Sequence, residues 1–224
     1  MKSPEAKMWL RVVATLVLMG FALFLAAGTF NYWRAWIFLG VVAVSSGLLT
    51  LSMTRNPTLL ENRSKVGPAA EKRTAQKIIV LSAGIPAIAT FIVPALDRRF
   101  GWSNVPFWLS ITGDVLILGG MWMVSRVFEA NPFGSATVEI ANDQKVISTG
   151  PYAMVRNPMY ASGSVYLIGV PLALGSYWGL IAGMLTVLGL VWRLFDEERF
   201  LAQDLPGYTE YCAKVHWHLI PGIF

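Results

Sequence analysis

The chain has 224 residues, 55% of them hydrophobic and only 14% charged, with a net charge of +5. A soluble domain carries roughly a quarter charged residues, so composition excludes an ordinary water-soluble enzyme. The single cysteine, Cys212, excludes an internal disulfide, and with His216 and His218 it makes no metal cage.

In chain order, uncharged runs at 12–29, 35–53 and 78–96 each approach the roughly 20 residues that cross a bilayer core. The first lacks a small-residue cleavage site and reads as a retained helix rather than a signal peptide. Between the second and third, 55–77 gathers charges and reads as an amphipathic surface loop. A fourth run, 105–124, contains one acid, Asp114. An acid in lipid is costly and marks a site by default. Gly113, Gly119 and Gly120 permit close helix packing around it, which favours a structural partner on a neighbouring helix over a substrate path.

Residues 127–158 form a long stretch of mixed polarity, with turn signals at Asn131-Pro132-Phe133-Gly134 and Asn142-Asp143 and an acid at Glu139. Glu129 and Asn131 fit a solvated loop better than a pocket lining. Two shorter apolar runs, 159–176 and 177–192, meet at Gly175-Ser176 and predict a hairpin; 196–214 then reads as helical but for a break at Pro206-Gly207. Backbone in lipid must satisfy its own hydrogen bonds, so the expected fold is an all-α polytopic membrane protein of about six hydrophobic helices. Residues 1–125 supply four supporting transmembrane segments, and 126–224 carry the helical hairpin and a polar C-terminal region.

Taking the runs in turn, every Lys and Arg except Arg34, Arg98 and Arg99 falls on one side. The positive-inside rule then places both termini in the cytoplasm. The positive charge is a topology signal, with attraction for anionic membrane lipids, and calls for no nucleic acid.

Polar chemistry concentrates in one region. Pro151 and Pro158 fix two φ angles and bias Gly150 and Asn157 towards extended backbone. Tyr152, Arg156, Asn157 and Tyr160 add aromatic faces and donors. Alone, this segment reads more readily as an interfacial anchor with a proline starting the next helix. Downstream, Arg193 and Glu197 are four apart and share a helix face, while Glu198 turns aside by about 100°. A simple ion pair is the plain reading of Arg193 and Glu197. A hairpin, however, returns Glu197 and Glu198 to the side where Tyr160 starts. Carboxylates, an arginine, tyrosines and an asparagine then converge at one membrane face.

The stretch Arg156-Asn157-Pro158-Met159-Tyr160 resembles the Arg-His-Pro-x-Tyr motif of the isoprenylcysteine carboxyl methyltransferase family of integral membrane methyltransferases. The surroundings are similar too: Thr149-Gly150-Pro151-Tyr152 upstream, Glu197-Glu198 and Leu201 downstream, then Tyr208, Tyr211 and Leu219-Ile220-Pro221-Gly222. The likeness spans about 126–224, in the family's order and approximate spacing. It implies S-adenosylmethionine as methyl donor, bound in a cytoplasm-facing C-terminal region. On that resemblance Gly150, Pro151 and Tyr152 line the cofactor. Val155, Arg156, Asn157, Pro158 and Tyr160 form the central motif, and Glu197 and Glu198 stand near the ribose and amino-acid end. Tyr208 and Tyr211 close the pocket, and Arg193 meets a substrate or cofactor carboxylate, a contact suited to a bidentate guanidinium. Arg193, Asn157 and Glu198 are the catalytic candidates; no metal is implied.

Two positions depart from the pattern. Asn157 replaces a histidine, and His218 stands where an arginine often precedes the Leu-Ile-Pro ending. One residue is also missing between Glu198 and Tyr208, which puts the placing of the aromatic lid in question. Asparagine cannot take a proton at neutral pH. With no histidine in the motif, a carboxylate acceptor, which needs no base, is slightly preferred over a thiol or amine. The acceptor is expected to be lipophilic or amphiphilic, reaching the site from the bilayer. Two rival readings are an NADPH-dependent sterol-reductase-like enzyme, which requires a further basic cluster for phosphates, and a non-catalytic membrane partner protein with a degenerate site.

Overall fold

The computed structural model describes residues 4–54, 73–131 and 145–224. Helices α1 (Pro4–Ala27), α2 (Trp33–Thr54), α3 (Thr74–Phe100) and α4 (Phe107–Ala130) come first. A 3₁₀ turn, Gly150–Ala153, leads to α5 (Pro158–Ala173), α6 (Trp178–Asp204) and the short α7 (Tyr208–Lys214). The described residues are helical and contain no strand, in agreement with the all-α expectation. Most of the expected 55–77 loop, the turn signals from Pro132 to Asp143, and Glu139 lie outside the described residues. The end of that loop differs from expectation, because α3 already begins at Thr74.

Five helices, α1, α2, α3, α4 and α6, are long and apolar enough to span a membrane. Only 17–28% of the most apolar window of each is buried inside the protein. The remainder points outward: Leu18, Leu81, Ile85, Trp122 and Leu188 are all largely exposed. Such surface is stable only against lipid.

The sixth helix is different. With 16 residues against 27 in α6, α5 falls about 16 Å short of its partner at 1.5 Å per residue. Both helices meet at Gly175, which adopts the left-handed φ of 79° needed for the turn. The shortfall therefore lies wholly at the opposite end, where α6 runs on past the start of α5 with Asp196, Glu197 and Glu198.

Small residues set the spacing of the bundle. A Cβ on Gly113 would collide with the backbone of Gly169, Leu172 and Ala173, and one on Gly120 with that of Ser162. Helices α4 and α5 thus touch backbone to backbone, as small residues allow in lipid. Gly119 faces open space and takes no part. Between α3 and α6, Gly179 lies against Pro94 and Gly189 against Ala83, and the Thr90 and Thr186 hydroxyls are 3.3 Å apart.

A polar lock closes the far end, at the α5–α6 turn. Asp97, only 1% exposed, accepts from the Ser103 amide and hydroxyl, both at 2.6 Å, and from the Ser176 hydroxyl at 2.5 Å. The Tyr32 hydroxyl donates to the Leu174 carbonyl at 2.6 Å and the Arg34 guanidinium to that of Val105 at 2.5 Å. Asp114 makes no comparable bonds. Its Oδ1 is buried without a hydrogen-bond partner among the described residues, as is the Ser110 hydroxyl one turn away. The neighbouring-helix partner expected for it is not found, because α4 presents its glycines, and hence bare backbone, to α5.

These two acids should respond oppositely to mutation. Asp97→Ala strands three donors, one on buried Ser176 and two on half-buried Ser103, and should cost on the order of 3 kcal/mol, read as a lower thermal midpoint in detergent. Asp114→Leu removes an acid whose buried Oδ1 has no partner among the described residues and should keep or raise that midpoint; a drop as large as that of Asp97→Ala would show that Asp114 is bonded in the membrane.

Candidate functional site

Pro158 occupies the first position of α5, where its missing N–H costs nothing. The preceding residue, Asn157, holds the N-cap position yet makes no side-chain cap. Asparagine is among the best capping residues, worth ~1 kcal/mol there. Its side chain turns instead to Glu198, with Nδ2 at 2.5 Å from Oε1. Local stability is given up for a tertiary contact, and Asn157 is 7% exposed.

Glu198 is the hub. Oε1 takes the Asn157 bond and also lies 2.9 Å from His218 Nδ1, while Oε2 has, among the described residues, only a longer 3.4 Å contact with Arg156. The Glu198 side chain is 12% exposed. One oxygen is thus saturated and the other retains accepting capacity.

Its neighbours on α6 point elsewhere, since each helical residue turns by about 100°. Glu197 accepts from the Tyr160 hydroxyl at 2.5 Å, and Arg193 Nε donates to that same hydroxyl at 3.2 Å. Arg193, Glu197 and Tyr160 are therefore brought together as the hairpin predicts. Asp196 reaches a third element: Arg73 grips it with both terminal nitrogens, at 2.8 and 3.3 Å, and Gln76 donates to it at 2.5 Å. Arg73 also lies over the Phe200 ring. Neither Arg73 nor Gln76 carried any motif or periodic signal that sequence reasoning could have used.

Arg156 serves the C-terminal tail. Nε donates to the Val215 carbonyl at 2.7 Å and NH2 to those of His216 and Cys212, at 3.1 and 3.4 Å. The Arg156 and Asn157 amides donate to the carbonyls of Trp217 and His218, at 2.8 and 3.0 Å. The tail runs alongside the motif like a short added strand, and its register carries the His218 ring to Glu198. Phe195 and Phe224 pack against that ring, with centroids 5.4 and 5.2 Å away.

Other expected residues form the frame. Gly150 takes φ of 60° and abuts Ala130; Pro151 is the second residue of the 3₁₀ turn, and Val155 is buried. Tyr152 receives a 3.0 Å bond from Asn131 on its hydroxyl, so Asn131 belongs to the site frame and not to a solvated loop. Glu129 is indeed exposed, paired with Arg126. Tyr208 and Tyr211 are each 5% exposed and pack with Leu205 in a small core. The Tyr211 hydroxyl bonds the Tyr152 carbonyl at 2.7 Å. Burial, with the Glu198 charge behind it, pushes the Tyr208 hydroxyl far above its ordinary range, so it stays protonated. Burial likewise pushes the Cys212 thiol up. Among the described residues no group of His, Cys, Asp and Glu is arranged to hold a metal.

The tail's docking depends on Arg156. In Arg156→Gln the guanidinium bonds to three carbonyls are lost, and trypsin should cut after the exposed Lys214 roughly tenfold faster, the effect of ~1.4 kcal/mol lost from the docked state. An unchanged cleavage rate would show that backbone pairing alone holds the tail.

A search of curated proteins finds no match to the chain. Residues 108–205, in contrast, match the family model described as Phospholipid methyltransferase. That family includes the isoprenylcysteine carboxyl methyltransferase-like membrane enzymes, so the resemblance drawn from the motif holds. The match runs from the first turn of α4 to the end of α6; α7 and the tail with His218 lie beyond it. Helices α4 to α6, with the turn that leads into α5, are thus similar to the phospholipid methyltransferase family, and this similarity supports a membrane methyltransferase.

Proposed function

We propose that the recess between the start of α5 and the end of α6 binds S-adenosylmethionine and transfers its methyl group to a lipophilic or amphiphilic acceptor. The observation that carries this reading is the state of Glu198: Oε1 is saturated by Asn157 and His218, and Oε2 keeps room for a donor. An α-ammonium or a ribose hydroxyl is such a donor. The donor set fits the cofactor in a second way, because Arg193 stands beside Tyr160 as a cationic partner for a carboxylate. When bound, the sulfonium supplies an electrophilic methyl with a good leaving group already in place.

The protein's own contribution is positional. Effective molarity and the exclusion of water account for most of the gain in a transfer that needs no covalent step on the enzyme. Gly150, Pro151 and Tyr152 form one wall, Val155 to Tyr160 the floor, and Glu197 and Glu198 the polar end. Tyr208 and Tyr211 back this frame. Because α5 falls short, the recess opens sideways to the bilayer, which suits an acceptor with an apolar tail. In this reading the site and both termini face the cytoplasm, following the Lys and Arg asymmetry. Residues 126–224 carry the pocket and 1–125 support it. The preference for a carboxylate acceptor rested on the lack of a histidine in the motif; His218 now stands beside Glu198.

Calorimetric titration of detergent-purified protein with S-adenosylmethionine, S-adenosylhomocysteine and NADPH tests the reading. Binding of the first two is expected. Binding of NADPH alone would favour a reductase, and silence from all three in folded protein would leave a non-catalytic membrane partner. Glu198→Ala should weaken S-adenosylmethionine roughly tenfold or more, about 1.4 kcal/mol. Unchanged affinity in folded Glu198→Ala protein would remove Glu198 from the site.

A further inference from the structure

We propose that His218 is the proton acceptor of the methyl transfer, and that the acceptor is therefore a protic nucleophile (an amine, thiol or hydroxyl) and not a carboxylate. The inference rests on the methyl-transfer reading and goes beyond it in assigning a base and an acceptor class.

The geometry fixes the tautomer. His218 Nδ1 lies 2.9 Å from Glu198 Oε1. A carboxylate only accepts, so Nδ1 carries the hydrogen and Nε2 of the neutral ring carries the lone pair. Among the described residues Nε2 makes no hydrogen bond, and the side chain keeps 24% of its surface exposed. Phe195, edge-on, and Phe224 both pack against the ring and against each other. An imidazole anchored through Nδ1 to a carboxylate, with Nε2 free, is the arrangement in which histidine acts as an oriented general base.

No neighbouring group competes for the role. Asn157 has no basic nitrogen. Arg156 and Arg193 stay charged. The Tyr160 hydroxyl donates to Glu197, and Glu198 is engaged by Arg156, Asn157 and His218. His216 contributes its carbonyl to Arg156 and is exposed.

The step balances simply. As the nucleophile X attacks, the X–C bond forms and the S–C bond breaks, its electron pair passing to sulfur. The X–H proton goes to Nε2 and then to water, and the X–H electron pair stays on X. A carboxylate has no such proton to give, and a base held ready for it would be idle.

The test uses the full chain in detergent micelles with methyl-labelled S-adenosylmethionine and three probes, dodecanethiol, dodecylamine and dodecanoate. Label should enter the thiol or the amine and not dodecanoate. His218→Asn keeps an N–H towards Glu198 but has no basic nitrogen. Its affinity for S-adenosylhomocysteine should stay within about threefold of wild type, while thiol turnover at pH 7 falls about a hundredfold or more. That turnover should recover as pH rises and the thiol ionises unaided. As a readout apart from turnover, the product dodecyl methyl sulfide together with S-adenosylhomocysteine should shield His218, but not His216, from carbethoxylation. Unchanged thiol and amine turnover in His218→Asn, no shielding, or methylation of dodecanoate alone or of none of the probes overturns the proposal. Failure of wild-type protein to bind S-adenosylhomocysteine overturns the methyl-transfer reading instead.

Discussion

Three consecutive carboxylates at the end of α6 hold the polar half of this protein together. Successive residues of a helix point about 100° apart, so Asp196, Glu197 and Glu198 cannot share a partner, and each reaches a different element. Asp196 is gripped by Arg73 and Gln76 at the start of α3, Glu197 by Tyr160 on α5, and Glu198 by Arg156, Asn157 and the tail residue His218. Burying a carboxylate costs several kcal/mol unless bonds replace its water. The three together therefore make sense only if all three elements are docked. Removing one element exposes the cost of the acid that it served.

The length of α5 is what gives these acids somewhere to act. A second full-length helix would have packed α6 along its whole length and covered the acidic turn with apolar side chains. Because α5 begins at a proline about 16 Å short, the same turn faces an extended loop whose backbone and side chains are free to bond. The far end shows the contrast. There Asp97 is buried in a closed set of serine bonds beside the α5–α6 turn, every one of them internal. That acid is a lock. Glu198 is built differently, with one oxygen filled by two bonds and the other meeting only the longer Arg156 contact among the described residues.

Much of this was legible in the residues. Apolar runs of spanning length located the helices, since lipid tolerates no other solution for the backbone. The Arg156 to Tyr160 motif with Glu197 and Glu198 marked residues that the fold brings together, because a hairpin must bring its two ends together. What stayed hidden shares one property: it is polar, long-range and without period. Arg73 meets Asp196 across 123 residues and His218 meets Glu198 across the helix break at Pro206-Gly207. Asn131 reaches Tyr152 through a single side-chain bond. Such pairs leave no trace in hydropathy, and their residues look like solvated loop until the fold places them. Asp114 failed in the opposite sense, since a general rule about acids in lipid predicted a partner that the glycine face of α4 does not supply.

Asn157 and His218 are best understood as one unit. Both bond the same oxygen of Glu198, from chain segments 61 positions apart by number. Asn157 alone would leave the site with donors but nothing able to take a proton. His218 alone would have a carboxylate to orient it but no second bond to stop that carboxylate from swinging. The backbone pairing of 156–157 with 217–218 fixes the relation between them. Reading the motif at position 157 in isolation suggests a weakened site. Read with the tail in place, Asn157 shares its Glu198 oxygen with an imidazole brought in by the C-terminal tail, whose tautomer that carboxylate sets.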